Sequence, residues 1–221
     1  MLKFTKILFA AVLMVCTMIS TSVGHCAKAP KYGADKAILA YTEAYAFGSP
    51  SDSRYIGLTK NDIAEIKRQI NAKIAGDFEE FCLSEDSVNK LTDVYVKKIK
   101  SEMDIKTAIK EKSKVSPVVS LTATILDNEA LDKQAKSDKK LQALLSSIAK
   151  LRSEGKTEGD LLKDTNLQKK SVDSLTDFIK GLSIYKEKSI SVKCKQITGE
   201  DEKLYWAPED PETLMNFVLG K

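Results

Sequence analysis

The sequence is short of the residues on which most catalytic motifs are built. Among 221 residues there are one His, one Trp, four Cys and five Pro. The only His is His25, so a chain trimmed at residue 27 has none. Without it there is no Ser-His-Asp or Cys-His nucleophile arrangement and no zinc site built on His. The phosphate-cradling G-x-x-x-x-G-K-[ST], the dinucleotide G-x-G-x-x-G, C-x-x-C and the calcium-loop spacing are all missing. Neither charge sign dominates, with 35 Lys+Arg against 31 Asp+Glu. So even a balance offers nucleic acid no electrostatic footprint. Carboxylates are plentiful, but no pair stands in an apolar setting. The expectation is a non-enzyme that needs no cofactor and no metal.

Long apolar runs are also scarce, and the one present is at the start. Lys3 and Lys6 precede the run ILFAAVLMVCTMI over residues 7–19, and Ser20, Thr21, Ser22 and Gly24 follow it. Thirteen residues are too few to span a bilayer as a helix. A basic start, an apolar middle and a small-residue end read as a secretory signal peptide over residues 1–27. Cleavage is expected after Ala27, with Gly24 as the alternative. Cys26 follows His25 and Cys16 follows Val15, so neither has the small preceding residue that lipidation requires. The expected mature chain is exported, periplasmic or extracellular, and meets the membrane only transiently during export.

Residues 28–221 then read as a single α+β domain. Ile38, Tyr41 and Tyr45 mark a broadly apolar first helix over 34–48, and 48–53 is a polar loop. Thr59, with Asp62 three residues on, caps a second helix. Its stripe Ile63, Ile66, Ile70, Ile74, Phe78 and Phe81 steps by three and four. This stripe, over 63–81, is expected at the centre of the core. A third helix starts at Ser84. Val119, Leu121, Ala123 and Ile125 then alternate with polar residues, the period of a strand with one apolar face. A preceding strand over 106–115 is weakly signalled. Residues 128–182 return to helix as an inserted helical pair, with a stripe at Leu141, Leu144, Ile148 and Leu151. Ile190, Val192 and Cys194 resume the strand period. A turn at 198–201 leads to a short strand over 203–206. Asp210 with Pro211 opens a last helix.

Three passages resemble a known family. They are AILAYTEAYAFGSPSDSRYIGLTKNDIAEI, VVSLTATILD, and the ending DEKLYWAPEDPETLMNFVLGK. Together they resemble secreted or lipid-anchored bacterial proteins of unknown function with the nuclear-transport-factor-two-like fold. That resemblance implies N-terminal helices packed on a curved, cone-shaped antiparallel sheet, and a cavity between them. Family members have a Gly just before the strand Trp, whereas here Gly199 stands seven residues ahead of Trp206.

The functional expectation is an exported, non-catalytic binding or interaction module of the bacterial cell envelope. Its partner would be an envelope protein or a small ligand, not nucleic acid. Tyr41, Tyr45 and Trp206 are the candidate ligand-binding residues, since an aromatic with a polar tip suits a half-wet cavity. Their alternative role is ordinary core. Two other functions stay open: an isomerase or dehydratase on the same fold, and an assembly protein docking through 128–182. Cys82 and Cys194 alone survive cleavage after Ala27, so export makes a disulfide between them the expectation. Two buried thiols packed as small hydrophobes are the alternative.

Overall fold

The computed structural model describes residues 29–183 and 185–219. The expected signal peptide and its cleavage points lie outside them. The expected single domain over 28–221 divides into two compact units. The sheet unit holds residues 29–68, 102–126 and 185–219, and the helical unit holds 69–101 and 127–183. The boundary cuts the helix Lys60–Asp77 between residues 68 and 69 and sets off the last residue of the helix Glu85–Glu102.

The sheet unit is built from α1 (Ala34–Phe47), a 3-10 turn Ser53–Tyr55, the start of α2 (Lys60–Asp77), four strands and a last helix. The strands are β1 (Ile105–Glu111), β2 (Val118–Leu126), β3 (Tyr185–Thr198) and β4 (Leu204–Pro208). They form one antiparallel sheet in the order β1-β2-β3-β4. The weakly signalled strand over 106–115 is present as β1 but ends at Glu111, leaving 112–115 in the turn, with an irregularity between Ile109 and Glu111. β3 is long enough to serve two partners: 185–193 pair with β2, and 194–198 with β4. Period-two alternation buries Val119, Leu121, Ala123 and Ile125 and turns Ser120, Thr122 and Thr124 outward. α1 packs on β1, β2 and β4. Its near-continuous apolar surface is used, because Ala37, Ile38, Ala40, Tyr41 and Ala44 are all buried. α8 (Pro211–Val218) packs on α1 and β4. Asp210 caps α8 by accepting from Thr213 N at 3.0 Å, with Pro211 in its first turn.

The capping box that opens α2 forms as its spacing requires. Thr59 Oγ1 accepts from Asp62 N at 3.2 Å, and Asp62 Oδ2 accepts from Thr59 N at 2.8 Å. The expected stripe over 63–81 is corrected in two ways. α2 ends at Asp77, and Phe78 and Phe81 follow it, Phe81 in a 3-10 turn Glu79–Phe81. The stripe also crosses the boundary between the units, so it is not the centre of one core. Ile66, Ile70, Ile74, Phe78 and Phe81 are buried all the same.

The helical unit continues with α3 (Glu85–Glu102), of which 85–101 belong here, then α4 (Asn128–Ser137), α5 (Lys139–Ser153), α6 (Glu158–Lys163) and α7 (Thr165–Lys180). The inserted helical pair is thus four helices. Each has its own N-cap: Asp127, Asp138, the Thr157–Asp160 capping box, and Asp164. α5 packs on α4 and α7, and α6 on α7. Leu141, Leu144 and Ile148 are buried within this unit and Leu151 is half-buried.

Candidate functional site

Three tyrosines come together on the sheet unit from distant parts of the chain. Tyr32 precedes α1, Tyr55 ends the 3-10 turn, and Tyr205 lies on β4. All three are half-buried. The Tyr32 and Tyr55 rings meet edge to face, with centroids 4.9 Å apart. Lys31 Nζ lies 5.3 Å from the Tyr32 centroid, and Lys36 Nζ 5.5 Å from that of Tyr55. Such cation–ring contacts hold a long side chain in place without withdrawing its charge from water.

Two carboxylates frame these rings. Asp52 accepts from Arg54 Nε at 2.8 Å and Nη2 at 2.5 Å, and from the Arg54 backbone N at 3.0 Å. The Arg54 hydrogen bond, helped by one from Tyr55, holds the Asp52 carboxyl down to about 2. The Tyr205 hydroxyl donates to Asp201 Oδ2 at 2.9 Å, and Lys203 Nζ donates to the same oxygen at 2.7 Å. Burial and the bond to Asp201 raise the Tyr205 phenol. The Tyr205 ring fits between two glycines. A Cβ on Gly57 would stand 2.9 Å from the ring, and one on Gly199 2.7 Å. Only glycine leaves room there.

The result is a platform of three aromatic rings surrounded by Lys31, Lys36, Arg54 and Lys203. Tyr and Arg are the side chains that interface cores favour, because they offer large contact area and a polar tip at little entropic cost. The sequence reading passed over this patch. Its signal is a cation placed just before each ring: Lys31-Tyr32, Arg54-Tyr55 and Lys203-x-Tyr205.

Tyr41, Tyr45 and Trp206 also belong to the sheet unit. Tyr41 and Trp206 are buried members of its apolar core, and Tyr45 packs against that core. The Tyr41 and Tyr45 centroids are 6.1 Å apart. Burial, then Tyr45 and Asp62, push the Tyr41 phenol far above its ordinary range. A phenol held neutral in this way cannot act as a base at any ordinary pH.

The expected disulfide does not form: Cys82 and Cys194 are both buried free cysteines. Each has local partners in its own unit. Cys194 lies in the apolar core of the sheet unit, its Sγ 3.7 Å from Val192 O, and burial pushes its thiol up to about 12. Cys82 closes the 3-10 turn of the helical unit in a left-handed conformation, φ 51°. Its Sγ donates to Glu158 Oε2 at 3.1 Å and accepts from Arg152 Nη2 at 3.0 Å. Arg152 Nε also reaches Glu158 Oε1 at 2.9 Å. Burial, then the bond to Glu158, push the Cys82 thiol up to about 11. A thiol so placed is a packed hydrogen-bonding group rather than a nucleophile.

Next to Cys82 is the polar centre of the helical unit. The Gln168 carboxamide donates from Nε2 to Cys82 O at 2.7 Å and to Leu161 O at 3.1 Å. Its Oε1 accepts from Ser84 N at 2.8 Å and from Ser87 Oγ at 2.9 Å. A polar surface pocket of about 270 Å³ is lined by Leu151, Lys156, Asp160, Leu161, Lys163 and Asp164 in the same unit. Asp160 and Asp164 are already engaged as helix caps. The Asp132 carboxyl, on α4, is raised by burial and by Asp77, against the opposing pull of Lys136. Among the described residues no cluster of three or more His, Cys, Asp and Glu comes together as a metal would need.

Fold and patch together define an α+β protein with a helical unit and a four-stranded antiparallel sheet unit that carries a half-buried tyrosine patch. Its fold is similar to the crystal structure of a candidate lipoprotein from Bacillus subtilis, with a TM-score of 0.54 and 17% sequence identity. The match covers 84% of this chain and 54% of that one, so the chain spans about half the length of the structure it resembles. No family model matches the chain, and no curated protein does.

Proposed function

We propose that this chain is an exported, non-catalytic binding module of the bacterial cell envelope, and that it recognises its partner through Tyr32, Tyr55 and Tyr205. The observation that carries this reading is the platform itself. The three rings are half-buried: Tyr55 and Tyr205 pack part of their surface against the core and leave the rest exposed for contact. The leader-like residues 1–27 support an exported location, periplasmic or extracellular. The name of the structural neighbour agrees with an envelope setting. Among the described residues no helix is long and apolar enough to cross a membrane. The finer kinship with nuclear-transport-factor-two-like proteins belongs to the same reading, supported by α1 lying on the antiparallel sheet. The partner is an envelope protein or a small ligand, met without a cofactor.

Co-sedimentation with the envelope fraction of the source cells tests this, washed in about 0.5 M salt to screen non-specific charge. Wild type and Tyr41→Phe should sediment alike, while Tyr55→Ala combined with Tyr205→Ala should stay in solution. Equal sedimentation of the platform variant would overturn the platform. Recovery of the protein from cells still beginning at Met1 would overturn export.

A further inference from the structure

The β1–β2 hairpin brings two properties together, unpaired cations and exposed apolar side chains. Lys106, Lys110, Lys112 and Lys114 lie within nine residues, opposed there only by Glu111. Lys106 pairs with Asp104 at 2.7 Å, and Lys110 Nζ donates to Ser191 Oγ at 3.0 Å. Among the described residues no carboxylate pairs with Lys112 or Lys114, nor with Lys195 on the neighbouring β3. Val115 follows Lys114 directly and is 75% exposed. Ile109, on β1 of the same hairpin, is 36% exposed. These are two of the three large apolar side chains that the described residues leave exposed.

The tip is ordered. Ser113 Oγ accepts from Val115 N at 3.2 Å and from Ser116 N at 3.0 Å. Gln196 Nε2, beside Lys195, donates to Lys114 O at 2.8 Å. Pro117 is buried, and its carbonyl accepts from Cys194 N at 2.9 Å. Three fixed points thus hold Val115 outward.

We infer that the β1–β2 tip docks the protein on an anionic lipid surface. Lysines alone would suit any polyanion. An outward apolar side chain gains nothing from a soluble polyanion but is buried at the headgroup boundary of a bilayer. Each lysine close to an anionic surface strengthens binding about fivefold, and the attraction fades within a Debye length. The contact is therefore weak and salt-sensitive, an orienting contact rather than an anchor. It extends membrane contact beyond the transient encounter of export that the sequence alone suggests. It does not depend on the tyrosine platform.

Flotation with phosphatidylglycerol and with phosphatidylcholine vesicles tests it. The full chain is compared with Lys112→Ala/Lys114→Ala and with Val115→Asp, so that the N-terminal apolar run is common to every sample. At low salt the full chain should prefer phosphatidylglycerol. The double lysine variant should lose about 25-fold of that preference, and Val115→Asp should weaken binding without changing the circular dichroism spectrum. In a Val115→Trp chain, brominated phosphatidylglycerol should quench the added indole and spare the buried Trp206. Equal binding to both lipids, or variants that bind as the wild type does, would overturn the inference. So would a lipid-independent self-association that grows with concentration, since that would assign the exposed β1 edge to another copy of the chain.

Discussion

The sheet unit packs Ile38, Leu121 and Trp206 together with scarcely a polar side chain among them. The helical unit instead closes around a carboxamide and an ion pair. Gln168 makes four hydrogen bonds there. Lys73 pairs with Asp77, with the half-buried Tyr95 close by. In the sheet unit even the buried Thr42 hydroxyl turns back to its own helix, donating to Ile38 O at 2.7 Å. An apolar core fails in proportion to the volume removed. A polar centre fails by leaving its partners orphaned, whatever the volume.

Mutation can break this contrast at either end. Trp206→Ala should cost the sheet unit about 3–5 kcal/mol in denaturant unfolding, the usual cost of emptying a large buried aromatic site. Gln168→Leu nearly keeps the side-chain volume but removes the bonds to Ser84 N and Cys82 O, and leaves Ser87 Oγ only Ser84 Oγ and Leu161 O only Asp164 N. It should cost the helical unit about 2–4 kcal/mol. A loss below about 0.5 kcal/mol would mean that water takes over those bonds and that the polar centre is dispensable. Thr59→Ala removes one half of a capping box and should cost about 1 kcal/mol. Arg68→Ala breaks only an exposed pair with Glu65 and should change stability by less than about 0.5 kcal/mol. The smallest effect is electrostatic. Because the folded state holds the Asp52 carboxyl down to about 2, its contribution is complete above the ordinary carboxylate range and is lost as pH falls towards 2. Carboxyl NMR titration should show this low midpoint, and Arg54→Ala should return it towards the ordinary range.

The sequence was most legible where physics acts locally. The Thr59–Asp62 and Asp210–Pro211 caps lie where their spacing puts them, because a cap needs only three or four neighbouring residues. β2 was plain from its alternation. β1 was faint because only Ile105 and Thr107 of IKTAIKE are even half-buried, so one apolar face barely registers. The four helices merged into two because Asp138 and Asp164 each end one helix and cap the next with no break in composition. Tyr41 and Trp206 were legible as aromatics of one region, though they lie in its core. The tyrosine platform was not legible, since Tyr32 meets Tyr55, and Tyr205 comes near Tyr32, only after three distant segments fold. Gln168 was hidden for the same reason: its partners at Cys82, Ser84 and Ser87 are more than 80 residues away.

The unbridged cysteines leave each unit with a clock of its own. Cys82 sits in the helical unit and Cys194 in the sheet unit, both buried and both with raised thiols. A thiol reagent at neutral pH can therefore reach either one only when its surroundings open. Tryptic peptides place the two sites on separate fragments, so a mass spectrum taken after a timed pulse reads two opening rates from one sample. Matching rates mean that the chain comes apart in a single event. If Cys82 is modified first, the helical unit breathes on its own while the sheet stays closed.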